Sequence, residues 1–325
     1  MQPFDLKTPA SLEDAIKELP SERSYAAPQP IAGGQDILTV MKDDIEAPST
    51  LVEIGHLLST EISEEPGGLT LGAGVTIQDI ADHEGIRSGF TALAEAAASV
   101  ASPQIRSQGT LGGNLNQRPR CPYYRHSAVS CFKRGGNVCL AEFGFNKYSA
   151  ILGGGPSYFS HPSDLATALM VLGASVVIVG PGGERTVPIA DFYVGPEEAL
   201  DRETVLGADE LVTTITVPRP ASGARTTYYK FKERDSYDFA LCAAAISLRV
   251  EAGVVAEARV VLGGVAPRPW HSPEAEAALI GQPMKAEAWK AAGEAAVADA
   301  VPLDMNGYKL HLVKGILHRA LESLA

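Results

Sequence analysis

The sequence predicts an α+β protein of two domains that meet near residue 220. Helix and strand patterns are mixed over the first part of the chain, whereas three strand patterns and then three helix patterns fill the last part. Between these parts, Pro218–Gly223 has the Pro, Ser and Gly content of a linker. A length of 325 residues is enough for about two domains that each bury a core.

The elements of the first part follow from hydrophobic periodicity and from capping residues. Ser11 and Thr76 each precede a helix pattern and have an acidic residue three positions later. Further helix patterns lie over Ile37–Met41, Ala92–Val100 and Asp164–Leu172. Strand patterns cover a short segment from Pro30, and then Thr50–Ile54, Leu69–Val75, Ser175–Val179 and Leu211–Val217.

The last part of the chain separates its strands from its helices. Strands are predicted over Thr226–Lys232, Leu241–Val250 and Val255–Val265. Helices are predicted over Pro273–Leu279, Glu287–Ala298 and Tyr308–Leu324. This order predicts a small three-stranded sheet covered by helices.

Composition excludes several classes of protein. With 27 Lys and Arg against 39 Asp and Glu, the formal charge is −12, which argues against binding to nucleic acid or to an anionic membrane surface. No apolar run reaches the roughly 18 residues of a membrane helix, so we expect no membrane insertion. The start of the chain has no basic region followed by an apolar stretch, which predicts a cytoplasmic location.

Two glycine-rich segments indicate a site for anionic oxygens. The first glycine loop, Ala32–Asp36, lies between a strand and a helix, where backbone N–H groups can converge on a phosphate. The second glycine loop, Gln104–Asn114, combines a hydroxyl, two adjacent glycines and an amide side chain in its last five residues. Together they could bind a diphosphate from both sides. A plain turn and a glycine-rich hairpin are the simpler alternatives, and the GxGxxG pattern of a Rossmann fold is missing.

Three of the four cysteines lie in a region without periodic pattern, residues 102–160. Cys121, Cys131 and Cys139 have the spacing C-x9-C-x7-C, and soft thiolate ligands suit an iron–sulfur cluster or zinc. Five Lys and Arg residues and His126, between Arg118 and Arg134, predict stabilisation of thiolates. Three unligated cysteines are the alternative. Cys242, in an apolar strand, is predicted to be buried and structural.

Two charged residues are ambiguous by themselves. Asp164 could cap the helix that begins there or accept a hydrogen bond from a ligand hydroxyl. Lys230 has the position of an ordinary solvated lysine on a strand. The sequence contains no Ser–His–Asp order, no HExxH motif and no Walker loop, and hence no recognisable substrate-activating base or nucleophile.

Taken together, the motifs resemble the FAD-binding subunit of the xanthine dehydrogenase (molybdenum hydroxylase) family over essentially the whole chain. The motifs that carry the resemblance are AGGQDIL, QIRSQGTLGGN, HPSDLA, YYKFKER and PLDMNGYKLHLVKGILHRAL, in the order of the family. The resemblance implies a vanillyl-alcohol-oxidase (PCMH)-type FAD-binding domain of two subdomains over residues 1–220. A small C-terminal α+β domain, of the CO-dehydrogenase-flavoprotein type, is implied over residues 221–325.

The resemblance also implies the residues that hold FAD. The diphosphate and the ribityl chain would contact Ile31, Ala32, Gly33, Gly34, Gln35, Asp36, Ile37, Thr110, Gly112, Gly113 and Asn114. Asp164 would lie near ribityl or adenosine hydroxyls, and Leu211 or Val212 would pack on the ring. Lys230 would lie near the polar edge of the ring, where a cation favours the anionic reduced flavin.

The cysteine loop, residues 117–160, looks like that of periplasmic aldehyde oxidoreductase FAD subunits and is similar to the 4-hydroxybenzoyl-CoA reductase type. These relatives carry an extra [4Fe–4S] cluster on the loop. At the position of their fourth cysteine this chain has Ser157, whose hydroxyl is a poor ligand. We expect a cluster held by the three cysteines and a fourth ligand from Ser157, His126, His161 or a partner. A three-iron, labile or lost cluster is the alternative.

The function implied by the resemblance is electron transfer within a heterotrimer that oxidises an aldehyde or an N-heterocycle. A molybdopterin-containing large subunit and a small subunit with two [2Fe–2S] clusters would supply electrons to FAD, which passes them to an external acceptor. Export to the periplasm with a partner is compatible with this assembly. The alternatives are a stand-alone flavin oxidoreductase and a flavoprotein subunit whose cysteines, with His126, form a structural zinc site.

Overall fold

A computed structural model describes all 325 residues of the chain. The strands are β1 (Asp5–Lys7), β2 (Gln29–Ile31), β3 (Thr50–Glu53), β4 (Ile62–Glu65), β5 (Gly68–Gly72), β6 (Ser175–Gly180), β7 (Gly183–Pro188), β8 (Leu211–Pro218), β9 (Ala224–Phe231), β10 (Cys242–Glu251), β11 (Val254–Gly263) and β12 (Trp270–His271). The helices are α1 (Leu12–Glu18), α2 (Ile37–Lys42), α3 (Ile77–Asp82), α4 (Glu84–Gly89), α5 (Thr91–Ser99), α6 (Pro103–Arg106), α7 (Leu111–Leu115), α8 (Asp164–Val171), α9 (Ile189–Phe192), α10 (Pro273–Leu279), α11 (Ala286–Ala295) and α12 (Tyr308–Ser323).

The strands form three sheets, which confirms the predicted α+β class. A parallel sheet has the order β1-β3-β2, and the first glycine loop leaves its edge at the end of β2. An antiparallel sheet has the order β4-β5-β8-β6-β7. A second antiparallel sheet, β12-β11-β10-β9, lies in the C-terminal part. No helix of the structure is both long and apolar enough to cross a bilayer.

The C-terminal sheet contributes to two hydrophobic cores because both of its faces are covered. Along β10, Ala243 and Ala245 belong to a 45-residue core shared with α3, α5 and α8, whereas Cys242, Ala244 and Ile246 belong to a 22-residue core under α10–α12. Successive strand residues point to opposite faces, so this run must be apolar throughout. Cys242 is fully buried, as expected of a structural residue.

Several elements differ from the sequence-based prediction. The C-terminal sheet has four strands instead of three, since β12 adds two residues opposite Val261 and Leu262. A two-residue strand is too short to show a period. The edge strand β7 was also not predicted, because its residues are almost all solvent-exposed and lack apolar alternation. Otherwise the predicted helices end within about three residues of the observed ones.

The cysteine loop contains only short 3-10 turns as regular structure, yet it is attached at both ends. Near its start, Tyr124 and Cys131 are buried against Val40 and Ile45, beside helix α2. Near its return, Lys309 of α12 donates hydrogen bonds to the carbonyl oxygens of Tyr148, at 3.0 Å, and Gly264, at 2.7 Å. Burial lowers the pKa of Lys309 to about 8. The C-terminal helix therefore holds the returning end of this loop.

Candidate functional site

One cleft of about 750 Å³ is lined by fourteen of the fifteen residues predicted to bind the cofactor. Ile31 is the exception. It ends β2, and its carbonyl oxygen accepts a hydrogen bond from the Ile54 N–H at 2.9 Å. The cleft volume lies within the range typical of ligand sites in proteins.

The first glycine loop offers a continuous row of hydrogen-bond donors. None of the six backbone N–H groups from Ala32 to Ile37 donates a hydrogen bond within the protein. The loop also approaches the second one closely, since a Cβ atom on Gly33 would lie 1.9 Å from the Gln108 carbonyl oxygen. Gly34 has φ +71°, in the left-handed region that favours glycine. These properties suit the binding of phosphate oxygens.

The second glycine loop uses its backbone differently. The Leu111 and Gly112 N–H groups donate to the carbonyl oxygens of Val75 and Ala73 at 2.8 and 2.9 Å. The Gly113 N–H donates to Thr110 Oγ1 at 3.1 Å, which makes Thr110 the N-cap of α7. The predicted diphosphate contacts from these glycine amides are therefore already engaged, and the loop presents side chains instead.

The second glycine loop is also tied to helix α8. Ser163 Oγ donates to Asn114 Oδ1 at 2.5 Å and accepts from the Ala166 N–H at 3.1 Å. Ser163 is therefore the N-cap of α8, and the hypothesis that Asp164 caps this helix is wrong. Asp164 is the first residue of the helix, with its carboxylate free to face β9.

Lys230 is not a solvated lysine. Its side chain is only 3% exposed, and Nζ lies 2.7 Å from Oδ2 of Asp164, whose side chain is 6% exposed. Tyr228 donates to the other carboxylate oxygen at 2.5 Å, and burial raises the pKa of Tyr228 well above its usual value. Lys230 and Asp164 thus form a buried ion pair in the wall of the cleft, so each compensates the charge of the other.

Comparison with known proteins matches both parts of the chain to one family. Residues 2–220 match the FAD binding domain in molybdopterin dehydrogenase. The chain belongs to this family of FAD-binding subunits. Residues 227–324 match the CO dehydrogenase flavoprotein C-terminal domain. The predicted family and the predicted oxidoreductase class are therefore confirmed.

Individual relatives agree over almost the full length. The aldehyde oxidoreductase FAD-binding subunit PaoB of Escherichia coli is 35% identical, covering 97% of this chain and 95% of the relative. A solved structure of carbon monoxide dehydrogenase from Hydrogenophaga pseudoflava matches with a TM-score of 0.76 at 27% identity, covering 98% and 96%. Quinoline 2-oxidoreductase from Pseudomonas putida matches with a TM-score of 0.77 at 25% identity, covering 99% and 96%.

In this FAD-binding subunit the cysteines are separate thiols. Burial is the main reason that the pKa of Cys121 is raised to about 11, and the neighbouring thiols of Cys131 and Cys139 contribute to this rise. Burial also raises the pKa of Cys131. No three His, Cys, Asp or Glu side chains lie close enough together to hold one metal ion. The structure therefore does not assemble the zinc set of three cysteines with His126, and the cluster stays a prediction.

The three side chains proposed as a fourth ligand occupy different surroundings. Ser157 is buried and His126 is exposed. His161 is 5% exposed and shares a second cavity, of about 310 Å³, with Cys121. Its Nδ1 accepts from the Ser163 N–H at 3.3 Å, Nε2 has no partner, and burial lowers its pKa to about 4. His161 is therefore neutral at pH 7.

The basic residues of the cysteine loop are mostly compensated by carboxylates and not by thiolates. Arg118 and Lys133 each lie 2.9 Å from Glu203, and both cations are largely buried. Arg120 and Arg125 each lie 2.8 Å from Asp36. Most of the positive charge on this loop is therefore paired with carboxylates, and the prediction that it stabilises thiolates is wrong for these four residues. These ion pairs instead fix the loop to the rest of the FAD-binding domain.

Ser163 and Tyr228 are functional residues that were not predicted from the sequence. Ser163 precedes Asp164 at the start of an apolar helix pattern, which is an N-cap signal. Tyr228 lies two residues before Lys230 on a strand, so the two side chains share a face. Period-two reasoning could have placed that tyrosine in the site. No local signal could have paired Asp36 with arginines that are more than 80 residues away.

Proposed function

We propose that the chain is the electron-transfer subunit of a heterotrimeric molybdenum hydroxylase, and that it passes electrons from its partners through FAD to an external acceptor. The observation that carries the proposal is the row of six unpaired backbone N–H groups from Ala32 to Ile37 in a cleft opposite a second glycine loop. Such a row binds anionic oxygens, and FAD carries a diphosphate.

Bound FAD would supply the redox chemistry, because its ring accepts two electrons and can return them singly or in pairs. The first glycine loop would bind the diphosphate through its backbone. Thr110 Oγ1 and the Asn114 side chain would add contacts from the opposite wall. Leu211 and Val212, both buried, would pack on the ring. The Lys230–Asp164 pair would donate and accept hydrogen bonds at polar edges without adding net charge.

The cleft favours a subunit over a stand-alone oxidoreductase. Its two buried carboxylates are both paired with cations, Asp164 with Lys230 and Glu203 with Arg118 and Lys133. Neither carboxylate is an unpaired base that could take a proton from a substrate. The proposed partners are a molybdopterin-containing large subunit and a small subunit with two [2Fe–2S] clusters. The names of the relatives suggest an aldehyde or N-heterocycle as substrate of the complex.

We propose that residues 1–220 form the FAD-binding domain and residues 221–325 the C-terminal domain. The segment between β8 and β9, from 219 to 223, contains no regular structure. The large core nevertheless includes residues of β10 and β11, so the two domains should unfold together. Separate expression of residues 1–220 tests this division, and aggregation of that piece is the expected result.

An iron–sulfur cluster on the cysteine loop is a separate proposal. Three soft donors, Cys121, Cys131 and Cys139, lie on one loop, and thiolates are the usual ligands of such clusters. Ser157 would stand at the fourth position. Assay of iron and acid-labile sulfide in anaerobically purified protein tests this. About four of each per chain would support a [4Fe–4S] cluster, and values near zero would refute any cluster.

The proposed function is tested by purification from the native host with a tag on this chain. We expect about one FAD per chain in the visible spectrum, and two further subunits by mass spectrometry. The isolated chain should bind FAD but should not oxidise aldehydes. A colourless chain that does not take up FAD would refute the proposal, and turnover by the isolated flavoprotein would favour the stand-alone alternative.

A further inference from the structure

Asp36 stands at the N-cap position of α2 but does not cap the helix. Its side chain makes no hydrogen bond to the amides of the first turn, and its backbone has φ −103° and ψ −52°. An aspartate here would ordinarily accept from those amides. Instead the carboxylate turns to the cysteine loop. The Asp36 residue thus has a backbone N–H in the unpaired row of the first glycine loop and a side chain that binds the cysteine loop.

Three contacts connect the Asp36 carboxylate to the start of the cysteine loop. Oδ2 accepts the Arg118 backbone N–H at 2.6 Å. Oδ1 lies 2.8 Å from a guanidinium nitrogen of Arg120 and 2.8 Å from one of Arg125. A carboxylate that accepts several charge-assisted hydrogen bonds fixes the groups around it strongly.

The loop closes around this carboxylate. Arg125 donates from Nε to the Pro119 carbonyl oxygen at 2.7 Å, and from a terminal nitrogen to that of Arg118 at 3.1 Å. The turn from 118 to 125 is therefore held by the arginine that Asp36 binds. The ring of Tyr124 is near the guanidinium groups of both Arg118 and Arg125, whose centres are 5.5 and 5.8 Å from its centroid.

The Asp36 carboxylate is the counter-ion of both Arg120 and Arg125. Two guanidinium groups share one carboxylate, and Arg120 Nε and Arg125 Nη1 are buried without any acceptor. Removing the carboxylate charge would leave two cations close together with no direct counter-ion. The turn from 118 to 125 should then open.

We propose that Asp36 is a positioning residue that couples occupancy of the first glycine loop to the conformation of the cysteine loop. The inference rests on the proposed binding of FAD at this loop. The Asp36 N–H is one of the six unpaired donors, so an anion bound there fixes the Asp36 backbone and with it the carboxylate. Linkage is reciprocal, so order in the cysteine loop must strengthen FAD binding by the same factor.

Arg125 gives the sharpest test, because it does not line the cleft. Arg125→Gln should raise the dissociation constant of FAD about 10-fold, within the usual range of coupling between sites. Asp36→Asn should raise it at least as much. Arg125→Lys, which keeps the charge, should recover part of the affinity. Arg219→Gln is the matched control, since Arg219 pairs with Glu64 at 2.9 Å on the surface, outside the cleft.

Limited trypsin digestion measures the reciprocal effect, which is the effect of bound FAD on the order of the cysteine loop. Cleavage can occur after Arg120, Arg125, Lys133 and Arg134, whereas the bond after Arg118 is protected by Pro119. In the native chain, saturating FAD should slow cleavage in this segment about 10-fold relative to the FAD-free chain. In Asp36→Asn and Arg125→Gln this dependence on FAD should disappear.

Failure of FAD binding and failure of the coupling through Asp36 give different results in these experiments. If the native chain binds no FAD, the proposed function fails. If it binds FAD but Arg125→Gln has the native dissociation constant and the native FAD-dependent protection, the coupling through Asp36 is refuted. Should Asp36→Asn fail to fold, Arg125→Gln and Arg125→Lys carry the test alone.

Discussion

The two glycine loops have similar sequences and opposite uses of their backbone. In the first glycine loop no N–H group from Ala32 to Ile37 has a protein acceptor. In the second, the N–H groups from Leu111 to Gly113 all donate within the protein. Glycine content alone therefore does not identify an anion site. What matters is whether the amides already have partners, and this depends on the neighbouring strands and helices.

This difference divides the cleft into a binding side and a supporting side. The supporting wall consists of the second glycine loop, α8 and β9, joined by the Asn114–Ser163 and Asp164–Lys230 contacts. Changes on the binding side should alter FAD affinity with little effect on stability. Changes in the supporting wall should alter the free energy of unfolding first.

The largest effect is expected for Gly33→Ala. The added Cβ would lie 1.9 Å from the Gln108 carbonyl oxygen, so the first glycine loop must move away from the second. We expect a loss of FAD affinity on the order of 1,000-fold, about 4 kcal/mol, measured by titration of the FAD-free chain.

Two alanine variants serve as controls for Gly33→Ala. In Gly113→Ala the Cβ meets only the Thr110 hydroxyl, at 3.0 Å, and in Gly182→Ala it meets nothing within 4 Å. Both should bind FAD within about 10-fold of the native chain. Equal losses at Gly33 and Gly113 would remove the distinction between the two loops.

Lys230→Met should destabilise the supporting wall by about 3 kcal/mol, because it leaves the buried Asp164 carboxylate without its counter-ion. Urea unfolding measures this. The double variant Lys230→Met/Asp164→Asn removes both charges and should recover most of the stability. The reduction potential of the flavin should be compared between the native chain and the double variant, because neither has an uncompensated buried charge at this site. A fully stable Lys230→Met variant would contradict the buried ion pair.

Stability should fall as the pH drops from about 6.5 to 4, because His161, which precedes α8 and lines the second cavity, stays neutral in the folded chain. Its pKa is lowered to about 4 by burial, so in this window the unfolded chain binds a proton that the folded chain does not. The expected loss is about 2 kcal/mol between pH 7.5 and 5. His161→Phe should lack this part of the dependence, and an unchanged pH profile in that variant would refute the assignment.

Thr110→Val should have the smallest effect, about 1 kcal/mol of stability, because it removes the cap of α7. Thr110→Ser keeps the hydroxyl and should be close to native. Urea unfolding of both variants compares them. A loss of FAD affinity in Thr110→Val much larger than its loss of stability would show that the hydroxyl acts mainly on the ligand.

Local patterns predicted most elements, and the resemblance to the FAD-binding subunits predicted the cleft-lining residues. The helices after Ser11 and Thr76 begin at their predicted caps, and both glycine loops line one cleft. Local patterns could not show which amides are free, because the Leu111 and Gly112 amides bond to residues just after β5, more than 30 positions earlier in the chain. They also gave the wrong surroundings for Lys230, since its burial depends on α5, which packs on β9, and on Asp164 at the start of α8.

The cysteine loop shows the same limit. The basic residues near Cys121 were predicted to stabilise thiolates, but their partners are Asp36 and Glu203, both distant in sequence. The charge pattern was visible in the sequence, and the pairing was not. Long-range ion pairs carry no local period, so only the fold reveals them.

Hydrogen exchange of the backbone amides with and without FAD tests the central claim most directly. FAD should slow exchange strongly from Ala32 to Ile37, where the N–H groups gain acceptors. Exchange from Leu111 to Gly113 should change little, because those N–H groups are already bonded in the protein. Protection confined to Leu111–Gly113, with none from Ala32 to Ile37, would contradict the account.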